Sequence, residues 1–202
     1  VHVTAREPAR AEALQALAKK HSNVHIHALD VTDEKAVRAL SATLKDVTLD
    51  RLINNAGIAS PWESLDAFDA SLAAKVFATN STAPLVVTRA FLPQLSQSKD
   101  ARVFHVSSRM GSIGDNTSGG AYAYRMSKAA LNMASSCLAI EFKSKKISSI
   151  ALHPGWVKTD MGGAGATLTV AESSTKLVSL MDRIGPADTG KFFAFDGEIL
   201  PF

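Results

Sequence analysis

The sequence predicts an α/β protein built on an open parallel sheet with helices on both faces. Three observations carry that prediction. Short apolar runs alternate with amphipathic stretches, the apolar runs lack a clean in–out alternation, and turn residues punctuate the joins. A strand that is apolar on both sides is buried on both sides, and right-handed crossover helices supply the cover.

Val1 to Ala5 reads as a buried strand. Pro8 stands near a helix start, and Ala13, Leu14 and Leu17 continue the helical period between charged residues. Val24 to Leu29 is a second strand, Asp33 to Leu44 a helix, and Arg51 to Ile53 a third strand. Leu65 to Ala78 and Ser81 to Leu95 are helical, with Pro84 in the first turn of the second. Val103 to Val106 returns to strand, Ala121 to Lys143 is the longest helix, and Ile147 to Leu152 is a strand that stops at Pro154-Gly155. The Gly-rich piece Met161 to Ala166 is a loop with the composition of a mobile lid.

With 202 residues, 46% hydrophobic and 20% charged, the chain is sized for a single domain, 1–202, with one substantial core. The net charge of +3 comes from scattered Lys and Arg. The densest basic run, Lys143-Ser144-Lys145-Lys146, closes a helix and suits its dipole, so no nucleic-acid partner is expected. Cys137 is the only cysteine, which excludes an internal disulfide or a thiolate metal site and fits a reducing, cytoplasmic setting. No apolar stretch approaches the ~20 residues of a membrane span. The histidines, His21, His25 and His27 among them, show no metal-ligand spacing, so no metal is expected.

In open parallel sheets ligands bind beyond the carboxyl ends of the strands. The unusual residues fall there: Arg6, Asp30, Asn54 to Gly57, Ser107 to Ser108 and Pro154 to Thr159. Tyr124 and Lys128, four apart on a helix, share a face about 6 Å apart along the axis. A fixed ammonium favours phenolate, and bringing a phenol from ~10 towards ~7 takes roughly 4 kcal/mol of differential stabilisation. Tyr124 could then exchange a proton near neutral pH.

Asn54-Asn55-Ala56-Gly57 closing a strand, Asn80 after a helix, Ser107-Ser108, Tyr124 to Lys128 and Pro154-Gly155-Trp156-Val157-Lys158-Thr159, in this order, resemble the short-chain dehydrogenase/reductase family over nearly the whole chain. The stretch Gly114 to Gly120, the run His153 to Gly163 and the ending Phe195 to Phe202 look like its C-factor and sniffer-type carbonyl reductase branch. The resemblance implies a Rossmann-like doubly wound sheet and an NAD(P)-dependent enzyme that moves hydride between a nicotinamide and a small carbonyl or alcohol. In it Ser108 hydrogen-bonds the substrate oxygen and Tyr124 supplies the proton. Lys128 holds the phenol's pKa down and contacts the ribose, and Asn80 anchors a water that relays protons to Lys128. Ser107 has a competing claim that the family motif ranks lower. For the coenzyme it implies Asp30 and Val31 at the adenine, Asn55, Ala56 and Gly57 under the ribose, and Pro154, Val157 and Thr159 at the carboxamide and phosphates, with Tyr124 and Lys128 also in contact. It further suggests a homodimer or homotetramer through the long helices.

Arg6 follows the first strand, where a guanidinium suits a 2′-phosphate through paired hydrogen bonds, so NADP(H) is favoured and NAD(H) stays possible. The alternative is a surface arginine paired with Glu7 or Glu12. The family's opening strand, Gly-rich turn and first helix have no counterpart here, a shortfall of roughly 25 to 30 residues. The sheet is therefore expected to be N-terminally incomplete, missing a central strand. The sequence is either a fragment of a longer enzyme, for which the catalytic assignments stand, or a truncated product expected to be weak or inactive, and a scaffold kept for binding or signalling without turnover is a further reading.

Overall fold

A computed structural model describes residues 1–202. Its six strands are all parallel and form two sheets. One pairs β1 (His2–Ala5) with β2 (His25–Ala28). The other runs in the order β3 (Arg51–Asn54), β4 (Arg102–Val106), β5 (Ser148–His153), β6 (Phe192–Ala194). Arg102 is the register mark, opposite Arg51 on one side and Ser148 on the other. No ladder joins β1 to β3, so the division falls where the expected central strand would lie, and Ile53 on the free edge of β3 is 47% exposed.

Seven α-helices connect the strands: α1 (Glu12–Lys20), α2 (Glu34–Thr43), α3 (Ala70–Phe77), α4 (Ala83–Ala90), α5 (Leu92–Leu95), α6 (Tyr122–Glu141) and α7 (Val170–Arg183). Caps explain several starts. Asp33 accepts from the amides of Lys35 and Ala36, and Asp69 from those of Ser71 and Leu72. Thr169 and Glu172 form a reciprocal capping box at α7. The helix expected from Leu65 begins instead as a separate 3₁₀ turn, Leu65–Ala67, because Asp69 caps a fresh helix behind it. The gap expected between two helices at Asn80 is a π-turn, Ala78–Thr82, that joins α3 to α4. The helix expected over Ser81 to Leu95 breaks at Phe91 into α4 and α5. The α7 helix and β6 complete the sheet's far side.

The four-stranded sheet is buried on both faces. Phe104, Ile150, Leu152 and Phe193 meet Leu177, Leu180 and Met181 of α7 on one side. Val103, Ile147 and Leu95 meet Leu138 of α6 and Phe142 just after it on the other. This two-sided burial is why the strands read as continuous apolar runs. The α6 helix is turned in an unusual sense: Ser127, Lys128, Asn132 and Ser135 point inward, while Met126, Met133 and Ile140 are exposed. Ser135 accordingly shares a hydrogen bond of 3.1 Å with Ser149 of β5.

His105 of β4 is fully buried on the same polar side. Its Nδ1 lies 3.3 Å from the Asn54 amide, which also donates to Thr88 Oγ1, and its Nε2 has no partner. Burial pushes this imidazole down to about 4. Burial also pushes His153, at the end of β5, down to about 4, with Arg109 adding to the effect. Because the folded-state values lie below the unfolded one, the unfolded chain binds more protons between roughly pH 4 and 6.5. Urea midpoints should therefore fall as the pH drops from about 6.5 towards 4. His105 contributes on the order of 3 kcal/mol to that fall, and His105→Gln should shrink it.

Candidate active site

Parallel pairing delivers the carboxyl ends of β3, β4, β5 and β6 to one edge of the sheet. At the end of β4 the Ser107 amide extends the ladder by donating to the Leu152 carbonyl at 2.7 Å. Its hydroxyl is used up internally, donating to Asn132 Oδ1 at 2.6 Å. Ser108, with extended backbone, caps the 3₁₀ turn Arg109–Gly111, and its Oγ accepts from the Met110 amide at 3.2 Å. That turn is pressed against α6: a Cβ on Gly111 would lie 2.7 Å from the Lys128 carbonyl carbon. Only glycine permits this approach, which sets Ser108 against the first turns of α6.

Lys128 is buried, and its Nζ donates to the Val106 carbonyl at 2.9 Å, the last carbonyl of β4. The same Nζ stands 5.7 Å from the centre of the Tyr124 ring. A Cβ on Gly57 would come within 3.3 Å of Asn80 Oδ1 and 3.5 Å of Lys128 Nζ. Asn80, Ser108, Tyr124 and Lys128 thus converge on the end of β4, with Gly57 below them. Asn80 owes its place to the π-turn, a local widening often found at functional sites. Its Oδ1 accepts from the Ile58 amide at 2.8 Å, and its Nδ2 donates to the Ile58 carbonyl at 2.9 Å and to Ser127 Oγ at 3.0 Å. Ser127 Oγ in turn donates to the Tyr124 carbonyl at 2.7 Å.

The electrostatics differ from the simple expectation of a cation beside a phenol. Burial pushes the Tyr124 phenol above its ordinary value, and the group that pulls it back is the Ser108 hydroxyl, not the lysine. Burial pushes the Lys128 amine down to about 8. Burial thus acts against charge on both groups, raising the phenol and lowering the amine. At neutral pH the pair is an ammonium beside an intact phenol, which is the state of a proton donor.

The remaining predicted residues fall into two groups. Asn55, Ala56 and Gly57 follow β3, and Gly57 lies against Asn80 and Lys128. Pro154, Val157 and Thr159 follow β5: the Pro154 carbonyl accepts from Ser173, Val157 bridges Leu168, and Thr159 Oγ1 accepts from the Gly162 amide. The Gly-rich Met161–Ala166 loop folds back onto Trp156, whose Nε1 donates to the Gly162 carbonyl at 2.8 Å. It is a tied loop in this structure. Arg6 and Asp30 sit apart, at the ends of β1 and β2. The Asp30 carboxylate accepts from Thr32 through amide and hydroxyl, which holds its pKa down, and Arg6 lowers it further. Val31 packs towards the core cluster around Leu29. Of the two alternative partners of Arg6, Glu7 pairs with Arg10 at 3.0 Å, and Glu12 makes no ion pair with Arg6.

Sequence reasoning missed Ser127, Asn132 and Gly111. A signal was present: Tyr124, Ser127, Lys128, Asn132 and Ser135 form a polar stripe at helical spacing on a helix too apolar elsewhere to face water. No group of His, Cys, Asp and Glu side chains is placed to hold a metal ion, and no helix is long and apolar enough to cross a membrane.

A parallel α/β sheet with a serine, a tyrosine, a lysine and an asparagine gathered at its strand ends defines a class of oxidoreductase. The chain belongs to the short-chain dehydrogenase family: the profile for short chain dehydrogenase matches residues 1–167. The C-signal protein of Myxococcus xanthus is 44% identical over 166 residues, which is 82% of this chain and all of that protein. Among solved structures, the carbonyl reductase Sniffer of D. melanogaster superposes with a TM-score of 0.96 at 36% identity, covering 100% of this chain and 87% of that one. An NADPH-bound carbonyl reductase from chicken fatty liver gives 0.94 at 38% identity, with the same coverage of both chains.

Because Asn80 satisfies both backbone groups of Ile58 and holds Ser127, Asn80→Ala leaves several buried polar atoms unpaired. It should cost about 2–4 kcal/mol in urea unfolding. Asn80→Asp should not restore the loss, since its second oxygen would face the Ile58 carbonyl.

Proposed function

We propose that the protein is an NADPH-dependent reductase of small carbonyl compounds. The observation that carries the reading is the convergence of Ser108, Tyr124, Lys128 and Asn80 on the end of β4, with an intact phenol beside a buried ammonium.

The residues fit a nicotinamide coenzyme. Gly57 leaves open a space beneath Asn80 and Lys128 that a Cβ would narrow, and Arg6 stands beside Asp30 at the end of the β1–β2 pair as a cation suited to a 2′-phosphate. NADP(H) is favoured, in line with the NADPH held by the chicken reductase. Asn55, Ala56 and Gly57 would support the adenosine ribose, Asp30 and Val31 the adenine, and Pro154, Val157 and Thr159 the carboxamide and phosphates. The dihydronicotinamide supplies hydride when bound.

Tyr124 then gives its phenolic proton to the carbonyl oxygen as that oxygen gains charge, and Ser108 donates a hydrogen bond to the same oxygen. The phenolate left behind is reprotonated at the expense of the Lys128 ammonium, and a water anchored at Asn80 would then return a proton to the neutral amine. The segments leaving β4 and β5 carry exposed apolar side chains, Ile113, Trp156 and Met161, which favour an apolar carbonyl substrate. The exposed Met126–Met133–Ile140 face of α6 favours a homodimer or homotetramer. A second reading, a signalling scaffold without turnover, is favoured by the likeness to the C-signal protein.

NADPH and NADH oxidation against a panel of aldehydes, ketones and quinones tests the proposal. Turnover with NADPH preferred, and a fall of about 10²–10⁴-fold in Tyr124→Phe, is the expected result. Equal rates for the two proteins overturn it, and coenzyme binding without turnover supports the signalling reading.

A further inference from the structure

Glu63 is the only buried carboxylate in the protein, and it makes no ion pair. It lies on the loop between β3 and α3, sixty residues before the helix that it serves. Its Oε1 accepts from the Ala123 amide at 2.7 Å, its Oε2 accepts from Ser60 Oγ at 3.2 Å, and its carbonyl accepts from the Ala121 amide at 2.9 Å.

The start of α6 needs such help. Its cap position is Ala121, held in the left-handed region at φ 48°, with no side chain able to accept from the first-turn amides. A helix start leaves amides orphaned, and burying them unpaired is costly. Glu63 supplies from another segment the acceptor that Ala121 lacks, and its negative charge suits the positive end of the helix. The neighbouring contact is as close: a Cβ on Gly120 would lie 2.7 Å from Trp62 Nε1. Arg125 stacks 5.8 Å over Trp62 and ties down the approach to the helix through the Gly119 carbonyl and Ser118 Oγ. Trp62 and Glu63 thus grip Gly120 to Ala123, and the next residue is Tyr124.

We infer that Glu63 is a positioning residue: by capping α6 from outside the helix it fixes the first turn and so sets the Tyr124 phenol against Ser108. The kinetic part of this inference rests on the proposed reductase reading, and the structural part does not. A cap held by acceptor geometry is replaceable by a neutral acceptor of the same length, so Gln should substitute where Ala does not.

The test compares Glu63→Ala and Glu63→Gln in the full chain by amide hydrogen exchange and by steady-state kinetics with NADPH. In Glu63→Ala the Ala121 and Ala123 amides should exchange about 10- to 100-fold faster, with Leu131 to Leu138 unchanged, and kcat should fall about 10- to 100-fold with KM for NADPH within about threefold. Glu63→Gln should restore both readouts to within about threefold of the parent. Unchanged exchange at Ala123 in Glu63→Ala overturns the inference, whatever the activity. So does faster exchange with an unaltered kcat, or a Gln variant as impaired as Ala. A parent protein with no turnover counts against the reductase reading alone, and the exchange of Ala121 and Ala123 then decides whether Glu63 holds the helix.

Discussion

A lysine amine buried against the last carbonyl of a strand is the constraint on which the rest of the site depends. Lys128 cannot reach Val106 unless α6 lies with its polar stripe inward, close against the end of β4. That approach in turn requires Gly111, where any side chain would strike the Lys128 backbone. The same placement buries Tyr124 and brings Ser108 to it. Burial acts on the two groups in opposite senses, lowering the amine and raising the phenol, because each is penalised for carrying charge. The pair is thereby held with both protons in place around neutral pH.

A second layer of hydrogen bonds keeps this arrangement from relaxing. Asn80 joins the loop after β3 to α6 through Ile58 and Ser127, and Ser107 joins β4 to the same helix through Asn132. These contacts explain the division of labour between the two serines. Ser107 is a bracket with no hydroxyl to spare, and Ser108 is the one whose oxygen faces the phenol. Ser127, Lys128 and Asn132 of α6 are therefore spent inward, while Met126, Met133 and Ile140 stay outside.

Much of this was legible in the sequence. Five of the six strands follow from apolar runs bounded by turn residues, and the unusual residues fall at strand ends as read, with Arg6 and Asp30 apart from the rest. The division between β1 and β3 was also expected, because no residues of the chain read as the strand that would join them. What escaped notice did so for physical reasons. The β6 strand has three residues, Phe192–Ala194, too few to show a period. The α7 helix announced itself through Thr169 and Glu172, a capping box that periodicity alone does not weigh. The π-turn at Asn80 has no compositional mark, and both it and α3 pack on α6. Spacing reveals a charge near Tyr124 and conceals desolvation, which here pushes the phenol the other way.

The central claim is that burial, opposed by Ser108, governs the ionisation of Tyr124 in this chain. Titration of the Tyr124 ring by ¹³Cζ NMR, with Tyr122→Phe removing the only other phenol, tests it most directly. The account predicts a phenol that ionises above the ordinary ~10 and that moves higher still in Ser108→Ala. A phenol titrating below 10, and rising when Lys128 is replaced by methionine, would contradict it.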